Sequence, residues 1–319
     1  MSGCAKASIY RLLGVLLAEL IAAGCACAAS ITIATYNVEN YVATDRRVDD
    51  VYRPAYPKPE AEKTALRAVI RALDADVLAL QEMGPPGYLE ELQRDLRAEG
   101  LDYPHVTLAE AADAERHVAV LSRIPFGRVQ VHSDLGFRYF GGQARVKRGL
   151  LEVAVNVDGA ELTLFVVHLR SRFTERPDDP GAAVFRAGEA GAVRDFVLRR
   201  FPDPAASHFV IMGDFNDTRD SKPLRLFTRR GSTTIACLTK AADRNGETWT
   251  YGYRKEETYS RIDYILVSPA LERAAAGGAR VYDGPGVREA SDHRPVVVRL
   301  ELAGAPAGGE ASGKPGKNG

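Results

Sequence analysis

Polar side chains able to bind a metal ion or move a proton stand at the ends of five apolar segments of this chain. Strand ends are rigid platforms, so groups that converge there bind a charged ligand with little reorganisation. In chain order these side chains are Asn37, Glu39, Glu82, His168, Asp214, Asn216, Asp292 and His293.

Two carboxylates are candidate metal ligands. Glu82 follows Gln81 at the end of an apolar run, where it is either a solvated carboxylate or a ligand for a hard cation. Mg²⁺ prefers oxygen ligands and takes one or two carboxylates while it keeps several waters. Glu39 shares a strand face with Asn37 because successive side chains alternate. For Glu39, direct ligation and a water-bridged role both stay open.

Two further positions carry proton chemistry. Asp214 and Asn216 are two residues apart, so both can enter one cleft, although Gly-Asp and Asn-Asp pairs are also common in turns. His293 is a surface residue if it stands alone. If Asp263 accepts a hydrogen bond from one of its ring nitrogens, the tautomer is fixed and the imidazolium is favoured.

Hydrophobic periodicity predicts the elements that position these residues. A stripe of Leu66, Val69, Ile70 and Leu73 after Pro59 predicts a helix, and further helices are predicted around 89–96 and 193–201. The mixture of helices with a hairpin at 158–159 predicts two helix-covered sheets rather than one all-parallel sheet. Strands are predicted at 31–38, 76–82, 118–121, 150–157, 162–168, 208–212, 262–267 and 295–302.

The two ends of the chain differ from its body. A basic start, an apolar run at 12–23 and Ala26-Cys27-Ala28 predict a signal peptide over 1–28, too short to span a bilayer. An ordinary N-terminal helix and lipoprotein processing at Cys25 are the alternatives. Residues 303–319 are rich in Gly, Ala and Pro and are expected to be disordered. A single domain over 29–302, exported to the periplasm or the exterior, is therefore predicted.

Composition excludes several classes. With 319 residues, 26% charged and 45% hydrophobic, the chain is neither a disulfide-stapled miniprotein nor wholly disordered. Its 42 basic and 42 acidic residues balance, which excludes a strongly basic coat protein for nucleic acid but leaves a local basic surface open. Only Cys237 lies outside the leader, so neither an internal disulfide nor a cysteine zinc site is expected.

Taken together, six short motifs resemble those of the endonuclease/exonuclease/phosphatase superfamily, the metal-dependent phosphoesterases related to deoxyribonuclease I. The resemblance covers nearly all of 31–302, and the motifs keep the family's order. It implies an α/β fold, a four-layer αββα sandwich of two packed mixed sheets. The motifs are Tyr36-Asn37-Val38-Glu39-Asn40, Leu80-Gln81-Glu82, Val167-His168-Leu169, Gly213-Asp214-Phe215-Asn216, Arg261-Ile262-Asp263-Tyr264 and Ser291-Asp292-His293.

The resemblance also implies roles. Glu82 would bind Mg²⁺ or Mn²⁺, with Glu39 and Asp292 at the metal or its waters. Water would attack phosphorus directly, without a serine or cysteine nucleophile. The catalytic residues implied are Asp214 to align or deprotonate the water, Asn216 to contact the phosphate, Asp263 to orient a cationic His293, and His168 as a second phosphate contact or leaving-group acid. Asn37 would bind the phosphate or a metal-bound group. Arg170, two residues after His168, is either a substrate contact or a solvated surface arginine.

The sequence leaves the phosphoester open. A secreted nuclease or phosphodiesterase acting on DNA or RNA is the first hypothesis, and a phosphatase or phospholipase-C-type enzyme is the second. A non-catalytic binding module is the third. A monomer without a stable protein partner or a transmembrane segment is expected. Two basic rims (Arg138, Arg145, Lys147, Arg148; Arg170, Arg172, Arg176) and base-stacking aromatics (Tyr139, Phe140, Trp249, Tyr251, Tyr253, Tyr259) would suit a polymeric anion, with surface charge and packing as the alternatives.

Overall fold

The computed structural model describes residues 29–174 and 176–302, so the predicted leader and tail lie outside the described residues. Helices are α1 (Glu60–Leu73), α2 (Pro86–Ala98), α3 (Ala183–Arg200), α4 (Lys222–Thr228) and α5 (Val287–Ala290). Strands are β1 (Ala29–Tyr41), β2 (Thr44–Val48), β3 (Val51–Tyr56), β4 (Val77–Met83), β5 (His105–Ala109), β6 (His117–Ser122), β7 (Phe126–His132), β8 (Gly136–Tyr139), β9 (Gly142–Arg145), β10 (Leu150–Val157), β11 (Ala160–His168), β12 (Phe209–Asp214), β13 (Arg229–Arg230), β14 (Thr233–Thr234), β15 (Cys237–Leu238), β16 (Ala241–Ala242), β17 (Tyr251–Tyr253), β18 (Thr258–Ser260), β19 (Asp263–Val267), β20 (Ala279–Val281) and β21 (Val296–Leu302).

Two large sheets form the centre of the fold. The first has the strand order β16-β20-β21-β1-β4-β6-β5, and the second has the order β15-β19-β12-β11-β10-β7. Both are mixed: β1 runs parallel to β4 and antiparallel to β21, while β11 runs parallel to β12 and antiparallel to β10. The prediction of mixed sheets is confirmed.

Apolar side chains alternate between two interfaces on each sheet. Ile33 and Val120 of the first sheet meet Val153 and Met212 of the second in one buried cluster between the sheets. The opposite face of the first sheet packs on α1 and α2, and that of the second packs on α3 and α4. Strand alternation produces these two faces. The resulting order of helix, sheet, sheet and helix is the four-layer sandwich that the resemblance implied.

Helix α1 shows how the sequence pattern becomes structure. Its stripe of Leu66, Val69, Ile70 and Leu73 is buried against the first sheet, as the periodicity predicted. The helix begins directly after Pro59, and Asp74 ends it in the left-handed conformation with φ 49°. The chain then enters β4, whose far end carries Glu82.

The register of the strands gathers the candidate site residues at one end of the sandwich. Asn37 on β1 lies opposite Gln81 on the parallel β4. On the second sheet His168 lies opposite Asp214, and Asp214 lies opposite Asp263 on the antiparallel β19. Parallel strands end at a common edge, so residues more than a hundred positions apart in sequence become neighbours.

Gly213 is required for this arrangement. Its φ is 142°, and a Cβ placed there would lie 1.9 Å from the carbonyl oxygen of Val167 on β11. Any side chain would therefore push β11 and β12 apart immediately before His168 and Asp214. Only glycine allows this close approach.

Several elements were not predicted. The hairpins β2–β3, β8–β9 and β17–β18, the edge strands β5 and β7, and the short helices α4 and α5 are absent from the predicted pattern. These segments are short or largely polar, so periodicity carries little signal there. Within the described ranges, no helix has the length and apolarity needed to cross a bilayer.

Candidate active site

Asp214 lies at the centre of the candidate site and is almost fully buried. Its Oδ2 accepts hydrogen bonds from the side-chain Nδ2 of Asn37 at 3.1 Å and of Asn216 at 3.2 Å. Its Oδ1 accepts a hydrogen bond from the backbone N–H of Asn216 at 2.8 Å. Burial and the nearby Asp263 raise the pKa of Asp214 above its usual range, against the opposing effect of His293. A carboxylate with a raised pKa can accept a proton from water near neutral pH.

His293 is the second titratable side chain at the centre of the site. Its Nδ1 lies 2.9 Å from Oδ2 of Asp263, which is the pairing expected from the sequence. Burial lowers the pKa of His293, but Asp263 outweighs burial and holds that pKa well above its ordinary value. The free Nε2 of the imidazolium lies 4.0 Å from Asp214 Oδ2 and 3.9 Å from Asp292 Oδ1. A fixed positive charge therefore faces the cleft.

The loop that carries His293 is held by its neighbours. Ser291 Oγ donates to the backbone carbonyl of Asn37 at 2.8 Å and accepts from the His293 amide at 3.0 Å. The Tyr251 ring lies beside the imidazole, with centroids 4.9 Å apart. These contacts tie the loop before β21 to the end of β1, so His293 is positioned before any ligand binds.

Glu39, Glu82 and Asp292 place negative charge on the other side of the cleft. Glu39 Oε2 accepts from the Asp292 amide at 3.0 Å, and Glu82 Oε2 accepts from the Asn40 amide at 2.9 Å. Burial raises the pKa of Asp292; His293 opposes this effect, and the like charges of Glu39 and Glu82 reinforce it. Crowded carboxylates are stabilised by a divalent cation, which takes oxygen ligands. The donor set therefore fits the metal that the sequence predicted.

Four of the twelve non-glycine residues with positive φ in the described part of the chain lie at or beside the candidate site. Glu39, Asn40, Glu82 and Asn216 have φ values of 48°, 51°, 63° and 52°. Left-handed backbone at a non-glycine residue costs on the order of 1–3 kcal/mol and persists where surrounding contacts hold it. Register shifts on β1 and β4 coincide with Glu39 and Glu82. These irregularities redirect the two carboxylates away from regular strand geometry.

His168 differs from His293 in its protonation. Its side chain is buried, and Nε2 lies 3.6 Å from Asp214 Oδ2 and 3.9 Å from Glu82 Oε1. Burial, together with the cations Arg148 and His293, lowers the pKa of His168 well below its ordinary value. A neutral imidazole follows, so the site pairs one neutral histidine with one charged histidine.

Asp214, Asp263 and His293 also bring ligand atoms within 4.8 Å of one another. We do not assign the metal to this trio, because Asp263 already binds the His293 ring and that ring is protonated. A protonated imidazole offers no lone pair to a metal. Glu39, Glu82 and Asp292 stay the predicted cation ligands.

Two contributors to the site were missed in the sequence. Lys58 is fully buried, and its Nζ donates to the Glu39 carbonyl at 3.2 Å and lies 3.2 Å from Glu62 Oε2. Arg116 Nε donates to Asn40 Oδ1 at 2.6 Å. Both support the strained end of β1. Their contacts to the end of β1 could not be predicted from local sequence, because Glu39 is 19 residues from Lys58 and Asn40 is 76 residues from Arg116.

Arg170 lies apart from this cluster. Its guanidinium sits 4.9 Å from the Phe185 ring centroid, in a cavity of about 370 Å³ that Tyr139 also lines. Arg172 instead shares a cavity of about 450 Å³ with Asn216. A substrate contact by Arg170 stays a prediction, and Arg172 is an additional candidate.

The predicted basic rim of Arg138, Arg145, Lys147 and Arg148 is partly wrong. Arg148 is buried, with its Nε 2.9 Å from Asp113 Oδ2, and it does not form part of an open basic surface. The side chain turns inward because Asp113 neutralises it there. Arg176 is exposed but pairs with Asp178 at 2.6 Å, as expected for ordinary surface charge.

The chain was compared with models of protein families and with curated proteins. The model of the family described as "Endonuclease/Exonuclease/phosphatase family" matches residues 34–293, which include all six motifs. No curated protein matches the chain.

Solved structures share the fold at low sequence identity. Sphingomyelinase C from Streptomyces griseocarneus is 18% identical, with a TM-score of 0.58 over 85% of this chain and 99% of that one. The human Nocturnin catalytic domain is 16% identical, with a TM-score of 0.59 over 85% and 93%. Truncated Caenorhabditis elegans TDP2 is 14% identical, with a TM-score of 0.57 over 86% and 98%. At these identities the likeness concerns the fold alone.

Proposed function

The chain belongs to the endonuclease/exonuclease/phosphatase family, and from this membership and the geometry of the site we propose that it hydrolyses phosphodiester bonds with the help of a divalent metal ion. The observation that carries the proposal is the arrangement of a carboxylate of raised pKa, Asp214, within 4.0 Å of both His168 and His293, with Glu82 and Asp292 each 3.9 Å from one of these histidines. Each component suits a different part of a phosphoryl transfer to water.

Asp214 is the proposed base. Its hydrogen bonds from Asn37 and Asn216 fix the orientation of the carboxylate, while its raised pKa suits proton transfer from water. The water oxygen then bonds to phosphorus as the ester bond on the opposite side breaks. We propose that Asn37 also donates to a phosphate oxygen, because Nδ2 has a second hydrogen besides the one given to Asp214. Asn216 Nδ2 already donates to the Leu169 carbonyl at 2.9 Å and to Asp214 at 3.2 Å, so its proposed phosphate contact replaces one of these bonds.

His293 is the proposed electrostatic stabiliser. Negative charge develops on the non-bridging oxygens as water adds to phosphorus, and a preorganised cation lowers the energy of that state. Asp263 keeps the imidazole charged and fixes its tautomer. The neutral His168 is proposed as a second contact to a phosphate oxygen or to the leaving group, from the Asp214 side of the cleft.

Glu82, Glu39 and Asp292 are proposed to hold Mg²⁺ or Mn²⁺. When bound, the ion would neutralise charge on the phosphate. Glu39 and Glu82 each use one carboxylate oxygen to accept a backbone hydrogen bond, which orients the other oxygen. We propose Arg170 as an outer substrate contact, and export of the protein through the leader over 1–28.

A substrate panel tests the function. Purified protein with Mg²⁺ should hydrolyse bis-p-nitrophenyl phosphate and plasmid DNA or RNA, while Asp214→Asn lowers the rate by about 10²- to 10⁴-fold. Asp74→Asn is a matched control. Asp74 precedes β4 at the end of that strand opposite to Glu82, and asparagine tolerates its left-handed backbone conformation.

Other outcomes would replace the proposal. Turnover confined to p-nitrophenyl phosphate, inositol phosphates or sphingomyelin would identify a phosphatase or phospholipase-C-type enzyme. A well-folded protein that turns over no member of the panel would be a binding module.

A further inference from the structure

Lys58 lies in the segment between β3 and α1, with its ammonium group inside the protein. Its side chain is fully buried, which is rare for lysine because the charged group loses its hydration there. Pro57 and Pro59 flank it in the sequence. Proline fixes its own φ and restricts the residue before it to extended conformations, so the Lys58 side chain enters the interior from a stiff segment.

Two oxygens lie close to the ammonium group. Its Nζ lies 3.2 Å from Oε2 of Glu62 and donates to the backbone carbonyl of Glu39 at 3.2 Å. The Glu62 side chain is 38% exposed, and such an ion pair offsets only part of the cost of burying a charge. The hydrogen bond to Glu39 is the contact that reaches the candidate site.

The backbone at Glu39 depends on its surroundings. Glu39 and Asn40 have φ values of 48° and 51°, and left-handed backbone at non-glycine residues persists where neighbouring contacts hold it. The Arg46 guanidinium donates to the carbonyl of Asn40, and Lys58 donates to the carbonyl of Glu39. Each carbonyl of this turn therefore has a cationic donor.

The N–H of Glu39 connects this turn to the centre of the site. It donates to Asn37 Oδ1 at 3.0 Å, while Asn37 Nδ2 donates to Asp214 Oδ2 at 3.1 Å. A backbone N–H bonds to the oxygen of a side-chain amide and not to its nitrogen, so the Glu39 N–H fixes which end of the Asn37 amide faces Asp214. Without that bond the amide is free to rotate away from the carboxylate.

We propose that Lys58 is a positioning residue for the base, Asp214. By holding the Glu39 carbonyl, Lys58 keeps the left-handed turn in place and the Glu39 N–H on Asn37. Asn37 Nδ2 then stays on Asp214. The inference rests on the proposed function, because it assigns Lys58 to the same reaction. In this role Lys58 contacts neither the substrate nor the reacting atoms.

Steady-state kinetics test whether Lys58 affects the chemical step. Lys58→Met keeps the length of the side chain and removes its donor. It should lower kcat for bis-p-nitrophenyl phosphate by about tenfold and change KM by less than about twofold, because a misplaced catalytic group slows the chemical step more than it weakens binding. Lys63→Met is the matched control. The Lys63 side chain is 12% exposed and pairs with Glu60 and Glu91 outside the site, so kcat should stay at the wild-type value.

A second variant separates the two contacts of Lys58. Glu62→Gln removes the charge of the ion-pair partner and leaves the hydrogen bond to Glu39 in place. If Lys58 acts through Glu39, this variant keeps the wild-type kcat. A loss of kcat as large as that of Lys58→Met would show that the ion pair with α1 matters instead, and it would overturn the proposal.

A double-mutant cycle tests the route through Asn37. In an Asn37→Ala background, Lys58→Met should lower kcat by less than about twofold, because the amide that Lys58 positions is already absent. A loss as large as in the wild-type background would show that Lys58 acts by another route and would overturn the proposal.

Amide hydrogen exchange tests the link without turnover. In the purified full chain, Lys58→Met should make the Glu39 amide exchange about fivefold faster, as expected for one weakened hydrogen bond, whereas Lys63→Met should leave this rate unchanged. Equal exchange rates in the two variants would overturn the proposal. A wild-type chain that hydrolyses no diester would contradict the proposed function, and the exchange rates would still decide whether Lys58 holds Glu39.

Discussion

Two buried carboxylates on the second sheet have opposite electrostatic surroundings, although each lies near a histidine. Glu152 on β10 accepts hydrogen bonds from His132 at 3.0 Å and Arg200 at 3.2 Å, and Arg128 Nε lies 3.3 Å away. Burial raises the pKa of Glu152, but the hydrogen bonds from His132 and Arg200 outweigh burial and lower that pKa below its usual value. Because Arg128 also pairs with Glu161, two arginines and two carboxylates form a charge-balanced cluster.

Asp214 has no such compensation. Its donors are neutral amides, and its nearest charged neighbours include Asp263 as well as His293. Across the cleft Glu39, Glu82 and Asp292 add further negative charge. The comparison shows that burial and a histidine partner do not by themselves mark a functional site. What distinguishes the candidate site from the Glu152 cluster is an excess of like charge that a ligand can relieve.

Of the changes that separate the two clusters, removal of the metal should have the largest effect on the rate of phosphodiester hydrolysis. Incubation with EDTA is expected to abolish phosphodiester hydrolysis, because Glu39, Glu82 and Asp292 then repel one another with no cation to balance them. Added Mg²⁺ or Mn²⁺ should restore the rate, measured as release of p-nitrophenol from bis-p-nitrophenyl phosphate. Hydrolysis that is indifferent to EDTA would refute the metal site.

Loss of the charged imidazole should have the next largest effect. His293→Ala is expected to lower kcat by about 10²- to 10³-fold, because a preorganised cation at the phosphate is lost. His132→Ala is the control from the charge-balanced cluster, and it should leave kcat unchanged. Steady-state kinetics on the same diester measure both variants. Equal kcat values for the two would contradict the assignment of His293.

The charge-balanced cluster should affect stability instead. Glu152→Gln is expected to lower the free energy of unfolding by about 2 kcal/mol, because hydrogen bonds to a charged acceptor are replaced by weaker ones. Its kcat should match that of the wild type. Glu161→Gln, at the exposed partner of Arg128, should change the unfolding free energy by less than about 0.5 kcal/mol. Urea unfolding followed by circular dichroism measures both.

The smallest expected effect is a pH dependence of that stability difference. A carboxylate with a lowered folded-state pKa contributes stability above its unfolded pKa, and this contribution is lost as pH falls through the folded pKa. The difference between wild type and Glu152→Gln should therefore be complete at pH 7 and shrink below about pH 4. A difference that persisted unchanged at low pH would show that charge is not its source.

Much of the fold and several site contacts could be predicted because their signals are local. Apolar runs located the central strands, and the stripe from Leu66 to Leu73 located α1. The pairing of Asp263 with His293 is also confirmed. Arg148 was misjudged because nothing near it in sequence reveals its partner Asp113, which lies 35 residues away. Lys58 was missed because its contact with the site, the Glu39 carbonyl, is 19 residues away, although its ion-pair partner Glu62 is local.

The sequence by itself determined which segments become the central strands and which polar residues end them, because periodicity and motif spacing act over a few residues. Only the tertiary structure decided which of those groups carry a proton and which face a ligand. Asn37 and Asp214 are separated by 177 positions and yet share a hydrogen bond. Protonation and cavity shape depend on burial and on charges contributed by distant segments, and these exist only once the two sheets have packed.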